Sequence, residues 1–147
     1  MLEKQIASDT LTAMKNSDKF KVSVLRMLKS AIQSEKINSK LVTLTDEQII
    51  MVIKKQLKER TSSIEEYTNY NRLDMVSDLQ KEIAILEGYL PKQLSREELE
   101  IKVQEILKNY PNATIKDMGK IMKAASSTLG SVADMSEVSK LIKASLI

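Results

Sequence analysis

The chain contains no cysteine and no histidine. Without thiols there can be no disulfide, no zinc–thiolate site and no thiol nucleophile. Without imidazole, the side chain most used as a general base or neutral metal ligand near neutral pH is missing. Tryptophan is also absent and aromatics make up only 3% of the residues, so leucine, isoleucine, valine and methionine must fill the core. Three glycines and two prolines leave few tight turns, which argues against a many-turned β architecture. No apolar run approaches the roughly 20 residues that a membrane-spanning helix needs, and Met1-Leu2-Glu3-Lys4 lacks the basic lead of a targeting segment. No Gly-rich phosphate loop, nucleophile elbow or metal-ligand spacing is present. The expectation is a cytoplasmic protein with no catalytic residues, no cofactor, no metal and no membrane partner.

What is present reads as helix throughout. Hydrophobic residues at 42% and charged residues at 29% recur at spacings of three and four. A first helix is expected over about Glu3 to Met14. Ser17-Asp18 offers the cap of a second, with Val24, Leu25, Leu28 and Ile32 on one face. Thr45-Asp46-Glu47-Gln48 is a capping box that opens the longest helix, to about Tyr67. Arg60 falls on its apolar stripe. A buried arginine without a partner is costly, so a carboxylate of the next helix is expected to meet it, and Arg60, Arg72 and Glu82 are taken as a structural ion-pair set. That next helix runs from Arg72 to about Gly88.

Pro91 then interrupts the pattern, and Ser95-Arg96-Glu97-Glu98 is a second capping box, with Leu94 and Leu99 spaced as a hydrophobic staple. A fifth helix stops at Pro111-Asn112. A sixth is expected from Thr114, with Gly119 on its apolar side marking a close backbone approach, because glycine there costs roughly 1 kcal/mol in helix propensity. Residues 126–131 read as a loop, and Asp134 caps the last helix. The fold class is therefore all-α: an amino-terminal four-helix region over residues 1–92 and a small three-helix tail over residues 93–147.

Charge is distributed unevenly. From Lys108 onward there are six lysines against three acids, which equals the net +3 of the whole chain. Lys116, Lys120 and Lys123 follow one another at four and three residues and can present a row of ammonium groups to a phosphate backbone. Lys140 and Lys143 add to the set on the last helix. Solvated lysine rows are common, and the run at Lys54, Lys55 and Lys58 reads as a solvated face. The Glu65-Glu66 and Glu97-Glu98-Glu100 clusters read as helix-surface and first-turn acids rather than acid/base pairs.

Tyr89-Leu90-Pro91 after Ile85-Leu86-Glu87, followed by Gln93-Leu94-Ser95, resembles the junction of YqeY-like proteins, the GatB/YqeY family. Met14-Lys15, the run from Val24 to Ile32, Arg60-Thr61-Ser62-Ser63-Ile64 with Arg72, Glu82, and Met118-Gly119-Lys120-Ile121-Met122 carry the resemblance from Leu11 to Leu146. It implies a three-helix tail similar to that of the B subunit of the glutamine-dependent amidotransferase acting on mischarged Glu-tRNA(Gln) and Asp-tRNA(Asn). In that enzyme the tail helps hold tRNA while the chemistry lies elsewhere. One departure stands out: the family's loop before the last helix carries Lys or Arg around a Gly, whereas residues 128–135 here contain no base. Weakened RNA affinity is expected, since electrostatic affinity tracks the phosphates neutralised.

The preferred reading is a non-catalytic tRNA-binding accessory protein acting through Lys116, Lys120, Lys123, Lys140 and Lys143. The alternative is an adaptor whose exposed helix faces bind a cytoplasmic protein partner. A carbon–nitrogen ligase with glutamine as amido donor ranks last, because no residues are seen that could run it.

Overall fold

The computed structural model describes residues 1–146, which form seven α-helices, one 3-10 turn and no strand. The all-α expectation holds. Two compact units divide the chain, Met1–Leu90 and Pro91–Ile147.

The first unit contains α1 (Leu2–Lys15), α2 (Lys19–Ser39), α3 (Asp46–Asn69) and α4 (Leu73–Glu87). Local chemistry sets the boundaries. Asp18 Oδ1 accepts from the Lys21 amide at 3.1 Å to open α2. At α3, Thr45 Oγ1 accepts from the Gln48 amide at 3.2 Å while Gln48 Oε1 accepts from the Thr45 amide at 2.8 Å. With no glycine at these helix ends, the left-handed turns fall on Ser17 (φ 56°), Lys40 (φ 56°) and Asn71 (φ 60°). Side chains there strain the backbone by roughly 1–2 kcal/mol, least for asparagine. The core is aliphatic, as the lack of aromatics requires: Ile6, Leu25, Leu28, Ile49, Ile53 and Leu86 are each at most 1% exposed. Burying such a side chain stabilises by roughly 1.5–3 kcal/mol. α3 packs along α4 and α1 along α2, and α2 also touches α3 and α4. Just past α4, the Tyr89 hydroxyl donates to Asp9 Oδ2 of α1 at 2.6 Å.

The second unit contains α5 (Arg96–Leu107), a 3-10 turn (Ile115–Asp117), α6 (Met118–Leu129) and α7 (Met135–Ser145). Ser95 and Glu98 form the expected capping box at 3.2 and 3.3 Å. Val103, Ile121, Leu129, Val138 and Ile142 make up its buried centre.

Three expectations are corrected in this unit. Residues 126–129 are helical, because α6 continues to Leu129. Ser127 Oγ and Thr128 Oγ1 each donate at 3.2 Å to the carbonyl four residues back, Lys123 O and Ala124 O, so hydroxyls expected to break the helix are satisfied within it. α6 itself starts at Met118, after the 3-10 turn whose Asp117 carboxylate accepts from the Thr114 amide at 2.9 Å. Gly119 meets no close backbone: it is exposed, and nothing lies within 4 Å of where a Cβ would sit. The short connection from α6 to α7 is held at two points, where the Leu94 amide donates to Val132 O at 2.8 Å and Gln93 Nε2 donates to Ser131 O at 3.0 Å.

Candidate nucleic-acid interface

Lys116, Lys120, Lys123, Lys140 and Lys143 are all exposed. Lys116 sits in the 3-10 turn and Lys120 and Lys123 on α6, so the row spans a change of helix type rather than one continuous helix. On α6 the buried side is set by Ile121, Ala125 and Leu129, and at 100° per residue Lys120 and Lys123 fall on the opposite side. Val138 and Ile142 fix α7 in the same way, leaving Lys140 and Lys143 outward. Among the described residues none of the five forms an ion pair.

The acids of this segment are engaged elsewhere. Asp117 accepts from Thr114, Asp134 Oδ1 accepts from the Ser136 amide at 2.9 Å, and Glu137 pairs with Arg96 at 3.7 Å. These carboxylates keep their charge, so the segment from Lys108 onward carries an excess of three positive side chains, and the five lysines named above are unpaired among the described residues. The neighbouring α5 is more acidic, with four glutamates against Arg96 and Lys102, and Glu97, Glu100 and Glu105 line a shallow groove of about 450 Å³ on its exposed side together with Lys108.

Acid/base chemistry finds no support in the carboxylates. Glu98 is held below its ordinary value by the Ser95 amide, Asp46 by the Leu2 amide and Asp74 by the Arg72 guanidinium. Each is an exposed helix-start or neighbour contact. Among the described residues no group of three or more Asp or Glu is placed to hold a metal ion.

Arg60 is buried, 6% exposed, on α3. Its Nη2 donates to Glu82 Oε1 of α4 at 3.4 Å, and its Nη1 donates to Gln56 O at 3.2 Å and Gln56 Oε1 at 2.9 Å. Its Nε is buried without a hydrogen-bond partner. Arg72 lies apart from this pair, on the surface, with its Nε 3.4 Å from Asp74 Oδ1. The guanidinium of Arg60 thus ties α3 to α4 and is not offered to a ligand.

One feature of the first unit escaped the sequence reading. An open groove of about 750 Å³ runs along the outer side of α2, lined by Lys19, Val22, Ser23, Arg26, Met27 and Ser30 with Met14, Ser17 and Gln56 at its sides. These α2 positions recur at spacings of three and four. The signal was available, but polar residues at that spacing look the same as an ordinary solvated face until a neighbouring helix end walls them in.

The sequence model of the family described as Yqey-like protein matches residues 3–146. A protein of Pyrenophora tritici-repentis named Altered inheritance of mitochondria protein 41, mitochondrial, is 28% identical over 142 residues, covering 95% of this chain and 77% of the relative. Its namesake from Kluyveromyces lactis is 32% identical over 124 residues, covering 79% of this chain and 66% of the relative. An uncharacterized protein of Schizosaccharomyces pombe is 33% identical over 94 residues, covering 64% of this chain and 76% of that one. Among the described residues no helix is long and apolar enough to cross a membrane.

Proposed function

The chain belongs to the YqeY-like protein family, and from that premise we propose that it is a non-catalytic, cytoplasmic accessory protein that binds tRNA through Lys116, Lys120, Lys123, Lys140 and Lys143. The observation that carries this reading is the set of five exposed ammonium groups with no carboxylate partner among the described residues, on a segment whose own acids cap helices or pair elsewhere. Such groups gain by meeting phosphates, because each contact releases condensed counterions. α5, with four glutamates against Arg96 and Lys102, is the less favourable side for RNA. Gly119 supports the same reading. It lies between Lys116 and Lys120 on exposed surface, and since no internal neighbour requires glycine there, the bare helix admits a sugar–phosphate backbone at close range.

Filter binding of bulk tRNA to the full chain across a salt series tests the proposal. Affinity is expected to fall steeply with salt and to weaken further in Lys120→Ala/Lys123→Ala. Absence of binding at low salt, or binding indifferent to salt, overturns it.

A further inference from the structure

We propose that the groove along α2 in the Met1–Leu90 unit is the docking site for an acidic amphipathic helix of a protein partner. This goes beyond the RNA reading and rests on a different part of the chain.

The groove has the form of a helix-packing seam with one helix missing. Lys19, Val22, Ser23, Arg26, Met27 and Ser30 follow the spacing by which packed helices present their ridges. Ser23 and Ser30, seven residues apart, are small enough to let another backbone approach. Met14 and Met27 are 48% and 49% exposed, and methionine is the side chain best able to reshape around foreign apolar groups. Half-buried Val22 adds to the apolar surface.

Charge names the occupant. α2 holds five bases and one acid, and that acid, Glu35, accepts from Ser39 Oγ at 2.6 Å near the far end of the helix. Lys36 is taken up by Glu3. Lys19 and Arg26 at the groove have no ion-pair partner among the described residues. They stand seven residues apart, about 10 Å along the axis. The complement is a helix whose apolar stripe is flanked by carboxylates at the same seven-residue interval. Gln56 adds a donor: arginine has no acceptor atom, so the Gln56 atom facing Arg60 must be the oxygen, and its amide nitrogen is left for the groove. Nucleic acid fits less well, since no aromatic side chain lines the groove to stack a base and an apolar wall gains nothing from phosphate.

The test pans a display library of amphipathic helical peptides, about five turns long, against the full chain, counter-selecting on Lys19→Glu/Arg26→Glu. Enriched peptides are expected to carry Asp or Glu seven residues apart beside an apolar stripe. Their affinity should fall about tenfold or more on the double variant and return when the peptide acids are exchanged for lysine. Methyl resonances of Met14 and Met27 should move on peptide addition, while Lys120→Ala/Lys123→Ala should bind peptide as the wild type does, so that failure here is separate from failure of the RNA reading. Should the reversed-charge variant not fold, Lys19→Ala/Arg26→Ala takes its place. No enrichment over the counter-selected chain, enriched peptides without acids, or displacement of peptide by tRNA that itself depends on Lys19 and Arg26 would each overturn the assignment.

Discussion

The Arg60–Glu82 pair shows how removing one partner of a buried ion pair costs far more than replacing both. Glu82→Ala would leave a buried guanidinium without its carboxylate, and the expected loss is about 3 kcal/mol. Replacing both partners together, as Arg60→Met/Glu82→Leu, removes the unpartnered Nε and leaves neither charge behind, so it should cost less than about 1 kcal/mol or stabilise slightly. Urea unfolding of the two variants measures the asymmetry. Tyr89 holds a second polar contact, with Asp9. Burial, with the hydrogen bond to Asp9 behind it, pushes its phenol well above the ordinary value of 10.0. The neutral phenol is the form that the fold favours, so its contribution is complete below pH 10 and is lost as pH rises toward the elevated folded value. The tyrosinate absorbance of Tyr89, isolated as wild type minus Tyr89→Phe, should therefore appear only well above its ordinary range in the folded protein. Tyr89→Phe itself should cost about 1–2 kcal/mol by denaturant titration, because the Asp9 carboxylate loses a charge-assisted donor. Arg60 was legible in the sequence as a charge on an apolar stripe. The Tyr89–Asp9 bond was not, since its partners are 80 positions apart and neither breaks a local pattern.

Among helices, legibility followed the caps. Thr45, Ser95 and Asp134 announce α3, α5 and α7 because each start is written within four residues. The carboxyl end of α6 was misjudged for the opposite reason: Ser126-Ser127-Thr128 looks like a loop, yet whether hydroxyls compete with a helix or bond back into it depends on the packing of Ala125 and Leu129 beneath them. Two glycines of α6 and its cap should respond in opposite ways. Gly119→Ala meets open space and gains helix propensity, an expected stabilisation of about 0.5–1 kcal/mol. Gly130→Ala would place a methyl 2.6 Å from Ser126 O and should destabilise by about 1–3 kcal/mol. Thermal unfolding of both resolves the contrast. If Gly119 serves RNA, the stabilised variant should also bind tRNA less tightly.

Over the whole molecule the modest excess of +3 matters less than where it sits. With one phosphate met by each of the five tail lysines of the proposed set, log affinity for tRNA should fall against log salt with a slope of about −4, reduced to about −2 to −3 in Lys120→Ala/Lys123→Ala. A markedly steeper slope would point to cations beyond this set, with Lys19 and Arg26 the first to examine. The uneven spread of lysines was readable as composition, but the groove on α2 was not, since its walls come from three helices. The connection between α6 and α7 carries a separate consequence. Exposed loops usually accept extra residues at little cost, but here two successive carbonyls, on Ser131 and Val132, are gripped from the approach to α5. An inserted residue would slide both out of register together. Substitution of side chains in that connection should thus be tolerated where lengthening it is not, so that a stretch chemically plain enough to lack any cation is nonetheless fixed in span.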